Sequence, residues 1–142
     1  MKIYKLTING NQENPDGNPI GYTRVLSHSM RADGARYLEW LQFVRAKFFD
    51  ETGMRNVVEG KFGTPIHILW SQNAHVEIKV YWKNLTHADL DNVLKGILDA
   101  LFFNDKEVNS IKASCEMSPD RQGKVDILVR LSTPKLDPES PG

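Results

Sequence analysis

The chain has 142 residues, enough for a single domain with a buried core. Its eighteen basic and eighteen acidic side chains cancel, so it lacks the net positive charge typical of nucleic-acid-binding domains. Cys115 is its one cysteine, which excludes an intrachain disulfide and indicates a reducing compartment. The first residues are too polar for a signal peptide, and no apolar run approaches membrane-spanning length. We therefore expect a cytoplasmic protein with no membrane contact.

The first third of the chain predicts one strand and one long helix. Residues 2–9 alternate between polar and apolar and predict a strand, and residues 10–18, rich in Asn, Gly and Pro, predict a loop. Residues 33–50 have helical periodicity, and Gly53 is a typical helix end. Trp40 is expected in the core. The predicted buried stripe of this helix consists of Tyr37, Leu38, Leu41, Val44 and Phe48.

Four later segments have the period of strands. Residues 65–70 and 75–82 are the first two, and the pattern leaves open whether residues 71–74 form a turn or interrupt one strand. Polar and apolar residues alternate over residues 111–117 and 125–131, on either side of a turn. The first of these patterns places Cys115 in the core. Together they predict a β-hairpin. The tail, residues 133–142, holds three prolines and no apolar period. We predict that it is disordered, which leaves residues 1–132 as the domain.

Between these strands lies an acidic amphipathic helix, preceded by Asp89 and Asp91. Two carboxylates separated by one residue face the same way on extended chain but lie about 200° apart on a helix. To share a metal ion, Asp89 should therefore be extended, with Asp91 at or near the helix N-cap. Mg²⁺ prefers oxygen ligands and takes one or two carboxylates together with substrate phosphate. Asp105, just past the helix, is a third candidate ligand.

The same residues also have a purely structural interpretation. Carboxylates at a helix N-terminus are favoured by capping and by the helix dipole. Asp91 and Lys95 form an ordinary i,i+4 pair. Thr86-His87-Ala88-Asp89 resembles a capping box, which would start the helix earlier and separate Asp89 from Asp91.

The wider pattern resembles a known signature. Asp89-Leu90-Asp91-Asn92, Lys95, Asp99-Ala100-Leu101 and Asn104-Asp105-x-x-Val108 resemble, in order and spacing, the RusA-type Holliday-junction resolvases. That family consists of Mg²⁺-dependent endonucleases that act as dimers on four-way DNA junctions. The resemblance implies that Asp89, Asp91 and Asp105 are the site carboxylates and Lys95 the site lysine.

The resemblance also extends to the flanking residues. The family places a basic arm that approaches the DNA backbone before the first helix, which makes Arg24 and Arg31 candidate phosphate contacts. One departure is that the family often has Lys or Arg just before the first aspartate, where this chain has His87-Ala88. The four histidines show no pair at ligand spacing, so we expect no zinc site and a solvent-exposed His87.

These observations predict an α+β domain with a mixed sheet and two main helices on one face. The expected function is cleavage of branched DNA by a homodimer that uses Mg²⁺, with Mn²⁺ as a possible substitute. The alternative is a non-catalytic nucleic-acid-binding or interaction protein with the same fold, and a weaker rival is a Mg²⁺-dependent phosphohydrolase. If residues 91–103 form one straight helix, Asp105 reaches the other two aspartates only in a partner subunit. A helix end near Leu98 would allow contact within one chain.

Overall fold

A computed structural model describes residues 2–22, 31–53, 57–58, 61–62, 73–102 and 108–132 of the chain. It shows a small α+β domain, as predicted. The elements in chain order are β1 (Lys2–Asn9), α1 (Arg31–Thr52), β2 (Val57–Val58), β3 (Lys61–Phe62), β4 (Asn73–Trp82), α2 (Leu90–Leu101), β5 (Val108–Met117) and β6 (Lys124–Ser132). The predicted strand over 65–70 and the predicted tail over 133–142 lie outside the described residues.

Four of the strands form one mixed sheet in the order β1-β6-β4-β5. β6 pairs antiparallel with both β1 and β4, whereas β5 pairs parallel with β4. The predicted β5–β6 hairpin is therefore wrong, because β4 lies between these two strands. Alternation identifies a strand and its faces, but it does not identify the neighbour with which the strand pairs. α2 is the crossover from β4 to β5, the connection that a parallel pair requires.

The core lies between one face of this sheet and the two helices. Alternate residues of β4 and β6 are buried, as predicted for β4, where Glu77, Lys79 and Tyr81 point to the other face. On α1, the predicted stripe is buried except for Leu38, which is 48% exposed, while Trp40 is fully buried. The helix therefore turns its Trp40 side into the core. Gly53 follows α1 with φ of 73° and donates its N–H to the Phe49 carbonyl, a helix end that glycine permits.

β5 differs from the other strands of the sheet. All of its residues are exposed except Val108, which is half-buried. Cys115 is exposed too, so its predicted place in the core is wrong. β5 lies at the edge of the sheet, and among the described residues α2 makes only a few contacts with it. Within the described part of the chain, no helix is long and apolar enough to cross a membrane.

Candidate metal-binding site

The start of α2 determines how the two aspartates are presented. Asp89 is the N-cap residue and is extended, with φ of −68° and ψ of 147°. Its carbonyl accepts hydrogen bonds from the N–H groups of Asn92 and Val93, each at 3.1 Å. Its exposed carboxylate makes no side-chain capping bond to the helix. The helix begins at Leu90, so the capping-box alternative, which required an earlier start, is wrong. The predicted extended conformation of Asp89 is confirmed.

Asp91 lies two residues beyond the N-cap, in the first turn of α2, and is exposed. Its Oδ1 accepts the adjacent Asn92 N–H at 3.0 Å. Asp91 and Lys95 form no ion pair among those of the described residues, although their separation by four positions on the helix favours one. The second oxygen of this exposed carboxylate makes no hydrogen bond to the described residues, and a cation need not displace Lys95 to bind there.

Lys95 follows one turn later and is held by an aromatic ring. Its Nζ lies 4.0 Å from the centroid of the Tyr22 ring, within the distance of a cation–π contact. Tyr22 is fixed in turn, because its N–H donates to the Asn92 carbonyl at 3.0 Å and its ring packs edge-on against Tyr37 at 5.3 Å. No pattern in the sequence indicated a role for Tyr22. Aromatic residues outside regular elements carry no periodicity that would reveal such a contact.

The loop that leads to Asp89 is fastened to the loop after β1. Asn18 donates from Nδ2 to the Asn84 side chain at 3.0 Å and to the Thr86 carbonyl at 2.9 Å. Its Oδ1 accepts the Lys83 N–H at 2.6 Å. Lys83 also forms an ion pair with Asp16 at 2.9 Å. These contacts hold the two loops together, and between them lies an open polar cleft of about 600 Å³ next to Ala88.

Two residues before Asp89, His87 stacks on a core residue. The His87 ring lies parallel to the Trp82 ring, with centroids 4.0 Å apart and planes 4° apart. Its Nδ1 lies 2.8 Å from the Ala88 carbonyl, a contact in which that nitrogen donates. His87 is exposed, as predicted. The stacking fixes the chain on the end of β4 directly ahead of the acidic pair.

Asp99, two turns after Asp91, faces α1. Its Oδ2 accepts a hydrogen bond from the Tyr37 hydroxyl at 2.7 Å, and Arg45 donates to the main-chain carbonyls of Asp99 and Ala100. Burial raises the pKa of the Tyr37 hydroxyl, and the bond to Asp99 raises it further. Burial also lowers the pKa of the Arg45 guanidinium. Asp99 therefore joins the two helices and lies apart from the exposed carboxylates.

Two of the three predicted carboxylates are described. In that part of the chain, no three His, Cys, Asp or Glu side chains form a metal-binding group. Asp105 and Arg24 lie outside the described residues, and so does the side chain of Arg31, whose backbone begins α1. A second depression, of about 980 Å³, is lined mainly by sheet residues and includes neither aspartate. Asp89 and Asp91 suit Mg²⁺, which takes one or two carboxylates and completes its shell with water and phosphate.

The end of α2 limits how Asp105 can join them. The helix ends at Leu101, with Phe102 as its C-cap, so it is slightly shorter than the supposed straight helix to residue 103 and does not end early near Leu98. From Asp91 to Leu101 the helix rises about 15 Å. Four chain steps then lead to Asp105 and span at most about 14 Å. Contact within one chain therefore requires the chain to turn straight back along α2.

Comparison with known proteins adds no assignment. No protein-family model matches this chain, and no curated protein matches its sequence.

Proposed function

We propose that the protein is a Mg²⁺-dependent, structure-selective DNA endonuclease of the RusA type that resolves four-way junctions as a homodimer. The observation that carries the proposal is the state of Asp89. It is extended, exposed and free of a capping bond, directly before a helix that presents Asp91 in its first turn and Lys95 in its second. An aspartate used only to cap the helix would bind an N–H group with its carboxylate.

In the proposed mechanism, Asp89 and Asp91 would hold the cation, and Asp105 is the predicted third ligand. When bound, Mg²⁺ supplies water activation and neutralises charge on the scissile phosphate. Lys95 places a positive charge where the pentacoordinate phosphate develops negative charge. The Tyr22 ring holds the Lys95 side chain in place and leaves the charge of its ammonium group uncompensated. An ion pair with a carboxylate would neutralise that charge.

The exposed acidic pair makes the encounter with DNA depend on a metal ion. Two exposed carboxylates repel a phosphate backbone unless a cation lies between them, so productive binding at this site requires the metal. The predicted basic arm with Arg24 and Arg31 would supply phosphate contacts. A homodimer suits the substrate, because a four-way junction has near two-fold symmetry and two sites could cut matched strands.

The test uses purified protein with a labelled four-way junction, a matched duplex and a single strand, each with Mg²⁺, with Mn²⁺ and with chelator. We expect paired cuts in the junction alone, in the presence of either metal and not in chelator. Binding of the junction without cleavage under every condition would reject the nuclease and favour the non-catalytic alternative. Hydrolysis of small phosphate esters without junction cleavage would favour the phosphohydrolase.

A further inference from the structure

The edge strand β5 carries an apolar row that the helices do not cover. Its odd-numbered residues pair in parallel register with the buried residues of β4 and therefore point to the helix-covered face of the sheet. These residues and their β4 partners are Ile111 with Val76, Ala113 with Ile78, Cys115 with Val80 and Met117 with Trp82. Ile111 and Met117 are nevertheless 42% and 45% exposed. Among the described residues, no strand pairs with the outer edge of β5.

We infer that β5 pairs with β5 of a second copy of this chain, antiparallel about a two-fold axis beside Ser114. In this register, Ser114 lies opposite Ser114 of the second copy. Lys112 lies opposite Glu116, and the same pair recurs on the other side of the axis. Directly opposed strand residues are close enough to interact, and opposite charges there are favourable. An unpaired strand edge offers the backbone groups for this pairing.

The apolar row is complementary in the same register. Ile111 lies opposite Met117 of the second copy, and Ala113 lies opposite Cys115. The two rows join on the face that carries the helices, because a two-fold axis perpendicular to the sheet leaves both helix layers on one side. The interface is thus isologous, with each copy using the same residues. This self-complementarity identifies a second copy, rather than an unrelated strand, as the occupant.

Neighbouring registers with the same face alignment lack this match. A two-fold axis beside Lys112 or Glu116 sets like charges opposite each other, which is unfavourable. An axis beside Ala113 or Cys115 leaves Lys112 and Glu116 opposite serines.

The ion pairs within one chain also extend across the proposed axis. Glu116 pairs with Lys79 of β4 at 3.0 Å, and Lys112 lies 4.0 Å from Glu77 of β4. In the dimer, Lys112 of the second copy would lie beside Glu116 and extend the Lys79–Glu116 pair. Glu116 of the second copy would likewise lie beside Lys112 and extend the Lys112–Glu77 pair. Positive and negative side chains then alternate in rows over four strands.

This inference specifies the surface of the homodimer in the proposed function, but it depends on β5 alone. The first experiment therefore measures mass by sedimentation equilibrium over a range of concentrations, with neither metal nor DNA. The 16.2 kDa chain should approach twice its monomer mass. Lys112→Glu and Glu116→Lys should each weaken the dimer by about tenfold, because each creates two opposed like charges.

Two further samples separate pairing from folding. An equimolar mixture of the Lys112→Glu and Glu116→Lys chains should recover the dimer, since the heterodimer has two opposite-charge pairs. The double variant Lys112→Glu/Glu116→Lys should also dimerise, for the same reason. A wild-type chain that stays monomeric at all concentrations would overturn the inference. Single variants that dimerise as well as the wild type would overturn it too, because the second copy would then bind elsewhere.

A cysteine placed on the axis tests the register. In a Cys115→Ala background, Ser114→Cys should form a covalent dimer on oxidation, since the two thiols would face each other. Lys5→Cys in the same background is the matched control, because Lys5 is an exposed residue on the opposite edge strand β1. Absence of the Ser114→Cys cross-link in a sample that sedimentation shows to be dimeric would reject this register. None of these measurements depends on junction cleavage. Failure of the β5 pairing and failure of the proposed nuclease activity are therefore distinguished.

Discussion

Asp89→Asn separates metal binding from helix capping. The Asp89 carboxylate makes no capping bond, so the change removes only its interaction with the helix dipole, about 0.3–1 kcal/mol. Asparagine and aspartate cap helices about equally well, so the change costs no capping energy beyond this dipole interaction. Removing one of two neighbouring negative charges offsets part of this cost. In chelator, we therefore expect the free energy of unfolding to change by less than about 1 kcal/mol.

Magnesium should then distinguish the variant from the wild type. A ligand at tenfold excess over its Kd stabilises the folded state by about 1.4 kcal/mol. Urea unfolding of the wild type should show this gain between chelator and Mg²⁺, whereas Asp89→Asn should lose both the gain and junction cleavage. Asp50→Asn, at an exposed aspartate on α1, is the control and should retain both. Equal stabilisation by Mg²⁺ and equal cleavage in Asp89→Asn would refute the assignment of the site.

The other predictions concern the groups around this pair. Lys95→Ala should slow single-turnover cleavage by about 10²-fold or more. It should lower the free energy of unfolding in urea by at most about 1 kcal/mol, the value of its cation–π contact with Tyr22, since Lys95 lacks an ion pair with Asp91. Tyr22→Leu should slow cleavage about 2–5-fold, matching a cation–π contact of about 0.5–1 kcal/mol, and should add nothing in a Lys95→Ala background. Asp99→Leu should lower the free energy of unfolding by about 1–3 kcal/mol, because a part-buried tyrosine hydroxyl loses its acceptor, and should leave the cleavage rate unchanged. Mixing Asp89→Asn with Asp105→Asn chains should restore nicking at about a quarter of the sites if Asp105 acts in the partner subunit, and at none if it acts within its own chain.

The sequence predicted those parts of the fold that depend on local pattern. The alternation in β1, β4 and β6 predicted their buried faces, because each of these strands lies against the helix layer. The bounds of α1 were predicted within two residues, helped by Gly53. Leu38 was misplaced because it lies at the margin of the apolar stripe, where a small rotation of the helix decides between core and solvent.

The errors arose where distant parts of the chain determine the outcome. The β5–β6 hairpin was predicted from a turn between two alternating segments, yet β4 occupies the place between them. Cys115 has the period of a core residue, but burial also needs a helix above the strand, and the sequence does not specify which strands the helices cover. At the site, the spacing of Asp89 and Asp91 predicted the extended conformation of Asp89. The contact between Lys95 and Tyr22 joins segments 73 residues apart, so no local pattern encoded it.

The central position of β6 has a consequence for biosynthesis. β6 is the last described strand, and it pairs with the first along its whole length, from Lys2 with Leu131 to Asn9 with Lys124. Until β6 has emerged from the ribosome, β1 has no partner among the described strands, and the inner edge of β4 is uncovered. Such long separations slow folding, because the chain must close a large loop before the pairing stabilises it. Before β6 emerges, the nascent chain therefore exposes the edge of β1 and, once β4 has emerged, the inner edge of β4 as well. These unpaired edges make it a candidate for chaperone binding.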